Sequence, residues 1–206
     1  MSIHKKNLRK TYNRSAQDRE ASNMQDWKIK ERATFLALLQ ERQKNSLLEL
    51  GAGVGRDSAF FKEFDFRVTC IDLSPAMVAL CKEKGLDAHE MDMVNLDFPD
   101  ASFDAIYAMN SLLHLAKTEF PIVLAHINSL LRPEGWVYLG LYGGFDFEGV
   151  WEEDHQQPKR FFSFFSDEHI KIEVAKVFDI RSFKHINVDR KSDLHFQSLI
   201  LEKRSP

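Results

Sequence analysis

The sequence predicts an α/β fold: seven strands in a mainly parallel sheet, helices on both faces, and one antiparallel strand at the C-terminal end. Three observations lead there. Short apolar or β-branched runs alternate with segments of helical period, which is the pattern of a parallel sheet built from crossovers. The runs at Leu50, Asp72 and Met91 stop at glycine or beside an acid, as strands do where they open onto a binding edge. The last two strands are joined by the polar stretch Asp189–Asp193, too short for a parallel crossover, so they should pair as a hairpin.

The chain has 206 residues, 44% of them hydrophobic and 29% charged, which suits one folded domain with a single core. Four regions are expected within it: a helical lid segment over 1–44, a core over 45–142, a substrate loop over 143–165, and a helix with a hairpin over 166–206.

In chain order, Ile29, Ala33, Leu36 and Leu39 recur at helical spacing between Trp27 and Gln43. Leu47–Leu50 reads as a buried strand, residues 55–65 as a helix, and Arg67–Asp72 as a second strand. Ser74 suits a helix N-cap with Pro75 in the first turn, and Gly85 suits the left-handed C-terminal cap. Strands follow at Ala88–Met91 and Phe103–Met109. A helix over Glu119–Leu131 carries Phe120, Val123 and Ile127 on one stripe, and Pro133 and Gly135 stop it before a strand at Trp136–Tyr142. Asp167–Phe178 reads as a helix with Ile170 and Val174 inward, followed by strands at Ile180–Val188 and His195–Leu201.

In such sheets ligands bind beyond the carboxyl ends of the strands. The first such end is Gly51-Ala52-Gly53-Val54-Gly55. A dinucleotide-binding turn, G-x-G-x-x-G, needs its third glycine at residue 56, which is arginine. Asp57 in the next helical turn would also repel a pyrophosphate. A ligand without phosphates, a nucleoside joined to an amino acid, fits better. Asp72 ends the second strand about 20 residues after the first glycine, where an acid accepts ribose hydroxyls. With Ser74 in the capping role, Asp72 is expected to be free for a ligand. Asp92 and Met93, at the third strand end, are placed to meet an adenine edge.

Residues 47–57 resemble motif I of class I S-adenosylmethionine-dependent methyltransferases, with Glu49 at the motif's acidic position. Residues 68–77 look like motif II, residues 97–106 like the approach to strand four, and residues 130–136 like the turn into strand five, with Glu134 where glycine is frequent. The resemblance covers about residues 45–142 and is closest to the broad small-molecule group labelled type 11 or type 25. It implies a Rossmann-like three-layer sandwich with S-adenosylmethionine as cofactor and S-adenosylhomocysteine as product. It places Gly51 and Gly53 against the methionine part, with Asn110 beside them after strand four, and adds Glu49, Ala52, Asp57, Met77 and Ser111 to the cofactor-binding set. Asp72 falls to the ribose, Leu73 packs on the adenine, and Asp92 with Met93 meets the adenine edge. The Asn/Asp-Pro-Pro-Tyr signature of enzymes that methylate DNA bases is absent at Asn110–Leu113.

The acceptor side is expected in residues 143–165, a long aromatic-rich stretch without clear period, and in the N-terminal segment. Tyr12, Tyr142, Trp151 and Arg160 are the candidate substrate contacts. Methyl transfer needs a base only if the acceptor must lose a proton, and His114 and His155 are the candidates. Between its two roles, a satisfied buried histidine or a base, His114 in an apolar stretch favours the first.

A net charge of −3 argues against a nucleic-acid partner, and Lys5, Lys6, Arg9, Lys10 and Arg14 read as a solvated basic tail. No apolar run approaches the ~20 residues needed to span a bilayer. No signal-peptide pattern follows Met1, and Cys70 and Cys81 lack metal-ligand spacing. The expectation is a cytoplasmic monomer or homodimer, without metal, acting on a small molecule. A non-catalytic cofactor-binding protein and a nicotinamide-dependent oxidoreductase are the alternatives.

Overall fold

A computed structural model describes residues 1–188 and 194–204; the connector Asp189–Asp193 lies outside the described residues. Among the described residues, nine strands and six α-helices follow in the order α1 (Ile3–Ala21), α2 (Asp26–Glu41), β1 (Ser46–Leu50), α3 (Arg56–Glu63), β2 (Arg67–Asp72), α4 (Pro75–Glu83), β3 (Asp87–Glu90), β4 (Phe103–Met109), α5 (Phe120–Leu130), β5 (Leu131–Gly143), β6 (Phe147–Val150), β7 (Phe161–Phe164), α6 (Asp167–Ala175), β8 (Phe178–Ile186) and β9 (His195–Lys203).

Seven strands form one sheet in the order β3-β2-β1-β4-β5-β9-β8. β1 to β5 are parallel, while β9 runs antiparallel to both β5 and β8. The expected single antiparallel strand is therefore β9, inserted between its neighbours rather than added at the rim.

Alternation along β4 sets the two layers. Ile106 and Ala108 face Leu124, Ile127, Ile170 and Val174 of α5 and α6. Ala105 and Tyr107 face Phe35, Leu39 and Phe61 of α2 and α3. On that second side Tyr107 stacks on its register partner Tyr138, with ring centroids 4.8 Å apart, and Phe35 packs against both rings. Ile29, expected on the inner face of α2, is 43% exposed; Phe35 takes that place.

The caps fall where the sequence put them. Ser74 Oγ accepts from the Met77 N–H at 3.2 Å, and Gly85 is left-handed at φ 70°. Glu134 adopts φ 58°, which accounts for the glycine common at that position.

One region differs from expectation. Residues 143–165 are not a loop: β6 and β7 pair as an antiparallel ribbon, and Phe145, Phe147, Trp151 and Phe164 cluster on it. The N-terminal segment is the long helix α1, laid on α4 with Ala16 packed against Val54, Met77 and Leu80. Of the basic residues read as a solvated tail, Lys6, Lys10 and Arg14 are exposed, while Lys5 and Arg9 are engaged. Lys5 pairs with Asp92 and Glu119, both at 2.9 Å, and Arg9 pairs with Glu90 at 2.5 Å. Among the described residues, no helix is long and apolar enough to cross a membrane.

Candidate functional site

The carboxyl ends of β1, β2 and β4, with α1 and the β6–β7 ribbon over them, enclose a cavity of about 1060 Å³. The glycine turn forms its floor. Gly51, Gly53 and Gly55 all have positive φ, at 73°, 56° and 79°, and the N–H groups of Gly51 and Ala52 both donate to the Ile71 carbonyl. A Cβ on Gly51 would lie 2.4 Å from Ser111 Cβ, whereas one on Gly53 would meet nothing within 4 Å. Gly51 is thus required by packing, and Gly53 by the open space above it.

Asp72 lines the cavity, yet it is not free as expected. Ser74 does cap α4, but Asp72 Oδ2 accepts from the Gly53 N–H and Oδ1 from the Ser74 N–H, each at 2.8 Å. The carboxylate braces the turn, and each oxygen keeps a further lone pair. Burial pushes its carboxyl up to about 6, against the pull of those two N–H groups.

Glu49 accepts from the Ser58 hydroxyl. Burial and the nearby Asp57 charge hold its carboxyl well above the usual range. Asp57 is balanced by Arg32 at 2.9 Å, so its charge is less exposed to a ligand than the sequence suggested. Asn110, at φ 56°, and Ser111 follow β4. Asn110 Oδ1 and Ser111 Oγ are buried without a hydrogen-bond partner, and both residues line the cavity. Buried polar atoms are normally satisfied, so these two mark the floor as built for a polar ligand.

Leu73, Met77 and Met93 line the same cavity. Asp92 does not: it borders an adjoining recess of about 40 Å³ that shares Leu73 and Met93 with the main space. Its carboxylate is taken by Lys5 Nζ at 2.9 and 3.1 Å and by the Val94 N–H. The sequence could not supply Lys5 as a partner 87 residues away.

The opposite wall joins α1 to the ribbon. His114 Nδ1 lies 2.8 Å from the Phe161 carbonyl, an acceptor only, so Nδ1 carries the proton. Nε2 then accepts from the Tyr12 hydroxyl at 2.7 Å. Arg160 donates to the same hydroxyl at 3.2 Å and is held by Asp154 at 2.7 Å. Burial pushes the imidazole down to about 3, leaving His114 neutral. Thr11 Oγ1 donates to the Pro158 carbonyl at 2.6 Å, a second tie between helix and ribbon. His155 is exposed at the rim, while Tyr142 and Trp151 border the cavity beside it.

Sequence reasoning missed three cations on this cavity: Arg19, Lys28 and Arg56. Arg19 lies 4.7 Å above the Tyr12 ring, and burial lowers the Lys28 ammonium. Arg56 donates to the carbonyls of Arg19, Glu20 and Ser22, pinning the end of α1 to the start of α3. Only Arg56 carried a signal, by breaking the dinucleotide pattern.

Residues 47–135 match the family described as Methyltransferase domain. The match covers under half of the 206 residues, and over it the chain is similar to methyltransferase domains. The chain is 27% identical over 115 residues to phosphoethanolamine N-methyltransferase 3 of Arabidopsis thaliana, covering 52% of this chain and 23% of that protein. It is 26% identical over 135 residues to malonyl-[acyl-carrier protein] O-methyltransferase of Serratia marcescens, covering 65% and 51%. The chain thus spans about a quarter of the first relative's length and about half of the second's. Its fold matches that of 1,6-didemethyltoxoflavin-N1-methyltransferase of Burkholderia thailandensis, solved with 1,6-didemethyltoxoflavin and S-adenosylhomocysteine. There the TM-score is 0.72, the identity 24%, and the coverage 96% of this chain and 88% of that one.

Proposed function

We propose that this chain transfers a methyl group from S-adenosylmethionine to a nitrogen, oxygen or sulfur atom of a small molecule. The observation that carries this reading is convergence at one cavity. The open space above Gly53, the buried carboxylate of Asp72 and the unpartnered Asn110 Oδ1 and Ser111 Oγ all meet there. At about 1060 Å³ the cavity lies at the top of the roughly 300–1,000 Å³ range of small-molecule sites, which suits two ligands side by side.

In this reading Gly51, Ala52 and Gly53 lie against the methionine part, with Asn110 and Ser111 as its polar partners and Glu49 and Asp57 behind. Asp72 accepts from the ribose hydroxyls with the lone pairs that Gly53 and Ser74 leave. Leu73, Met77 and Met93 flank the adenine, and Asp92 stands at its far edge with Lys5. When bound, the cofactor supplies a methyl group already activated on a sulfonium sulfur.

What remains for the chain is to hold the acceptor atom in line at about 3–3.5 Å and to exclude water. The α1 helix and the ribbon serve that purpose, with Tyr12, Tyr142, Trp151 and Arg160 facing the acceptor. His114 is a poor base here, because its lone pair is occupied and burial disfavours its charged form. It fixes the Tyr12 hydroxyl instead, which is a positioning role. His155, at the rim, is the candidate for taking a proton from the acceptor. The names of the relatives and of the structural neighbour include both nitrogen and oxygen acceptors, so the acceptor is left as a small molecule.

The test is calorimetric titration with S-adenosylhomocysteine. Micromolar-range binding is expected in the wild type, with loss in Asp72→Ala. Unchanged affinity in the variant overturns the reading. A methyl-label transfer screen against metabolite extracts then identifies the acceptor by mass spectrometry.

A further inference from the structure

Away from the cleft, Asp167, His185 and His195 bring one carboxylate oxygen and two imidazole nitrogens within 4.8 Å of one another. Asp167 opens α6, His185 lies on β8 and His195 on β9. The register pairs His185 with Gln197, so His195, two residues away, shares its face as a diagonal neighbour. The two rings stack with centroids 3.5 Å apart and planes at 12°.

Their nitrogens converge on one carboxylate. His195 Nε2 lies 2.7 Å from Asp167 Oδ1, and His185 Nδ1 lies 3.8 Å from Asp167 Oδ2. His185 Nε2 donates to Asn187 Oδ1 at 2.8 Å, so in the neutral ring Nδ1 presents a lone pair toward a carboxylate oxygen. Two lone pairs facing each other are unfavourable unless a proton or a metal cation lies between them. Stacked at 3.5 Å, the two imidazoles present their edges side by side to the same carboxylate. Gln197 Nε2 donates to Asp167 Oδ1 at 2.7 Å, an outer contact that orients the carboxylate as metal-ligand partners do.

We propose that Asp167, His185 and His195 form a binding site for a divalent cation of the zinc type. Imidazole with carboxylate is a zinc donor set, and zinc bonds of about 2.0–2.1 Å in a tetrahedron place donor atoms about 3.3–3.4 Å apart. His195 Nε2 lies inside that distance of Asp167 Oδ1, at 2.7 Å, and His185 Nδ1 lies beyond it from Oδ2, at 3.8 Å, with the donor atoms of all three residues within 4.8 Å. Closing the site requires the half-exposed His185 ring to move toward the carboxylate, which its exposure leaves room for. Three protein ligands leave the fourth position to water. The ion would clamp α6 to the β8–β9 pair. Asp167 lies three residues after Phe164, and His195 adjoins Leu194; both Phe164 and Leu194 line the acceptor side of the cleft. Sequence inspection expected no metal because these ligands come from three separate elements.

The experiment uses the full chain without an affinity tag, stripped with chelator and desalted. Zinc sulfate is titrated in competition with a chromogenic chelator, and melting temperature is followed in parallel. One zinc per chain is expected, with a raised melting temperature and no uptake of magnesium. His185→Ala and Asp167→Asn should each weaken binding at least about tenfold, the scale of losing even an outer-shell partner, and abolish the thermal shift. The half-exposed His185 makes its variant safe for folding, and circular dichroism checks both. Absence of zinc uptake, or equal affinity in wild type and His185→Ala, overturns the proposal.

Discussion

Gly51→Ala and Gly53→Ala make a matched pair, because the structure assigns them different costs. Both residues have left-handed backbone, at φ 73° and 56°, and placing a Cβ there costs roughly 1–2 kcal/mol. At Gly51 the new Cβ also falls 2.4 Å from Ser111 Cβ. Neither neighbour gives way freely, since Gly51 is tied to Ile71 and Ser111 is buried at the end of β4. Overpacking of this kind adds about 1–3 kcal/mol. The expected losses are about 2–5 kcal/mol for Gly51→Ala and about 1–2 kcal/mol for Gly53→Ala. Adding Ser111→Gly removes the opposing Cβ, so the pair should show a coupling of about 1–3 kcal/mol in a double-mutant cycle. Urea unfolding followed by circular dichroism gives each value from midpoint and slope. Gly53→Ala should in turn weaken S-adenosylhomocysteine binding more than it weakens the fold. Equal destabilisation by the two alanines, or a coupling below about 0.5 kcal/mol, would refute the steric reasoning.

Three further outcomes follow from the site. The Asp72 carboxyl, raised to about 6 by burial, holds a proton that the unfolded chain releases from about pH 4 upward. Its contribution to stability therefore falls as pH rises through that window and is constant above it. S-adenosylhomocysteine affinity should fall up to tenfold per pH unit below about 6, and calorimetry showing a flat profile from pH 5 to 8 would contradict the assignment. Tyr12→Phe leaves His114 Nε2 without its donor and should cost about 1–3 kcal/mol. The cost should be equal at pH 5 and pH 8, because burial pushes His114 down to about 3; thermal unfolding at both values checks it. Arg56→Ala frees the carbonyls of Arg19, Glu20 and Ser22. Trypsin should then cut after Arg19 several-fold faster, as followed by mass spectrometry, and an unchanged rate would mean that α1 is held elsewhere.

The parallel sheet and its glycine floor were legible because both are local. Glycine spacing, strand-end acids and the Ser74-Pro75 start lie within a few residues of the chemistry they serve. The packed face of helix α1 was not, because its inward residues include Thr11 and Ser15, so no apolar stripe betrays the buried side. The β6–β7 ribbon was hidden for another reason. Its strands are four residues each, and the aromatic run Phe161–Phe165 masks any alternation. The partners of Asp92 and His114 were beyond reach as well. Lys5 and Tyr12 meet them only after α1 folds back across the strand ends, and no sequence period encodes that return.

The insertion of β9 between β5 and β8 also decides what the sheet presents at its rims. The strand buried along most of its length, β9, is paired on both sides. The free backbone edges fall to β8 and β3. β8 displays Asp179, Arg181, Lys184 and His185 among its partly exposed positions, and β3 is four residues long with acids at both ends. Charged or very short rims are poor templates for a strand from another molecule. The strand order thus protects the chain against edge-to-edge self-association and keeps its most aggregation-prone segment out of reach.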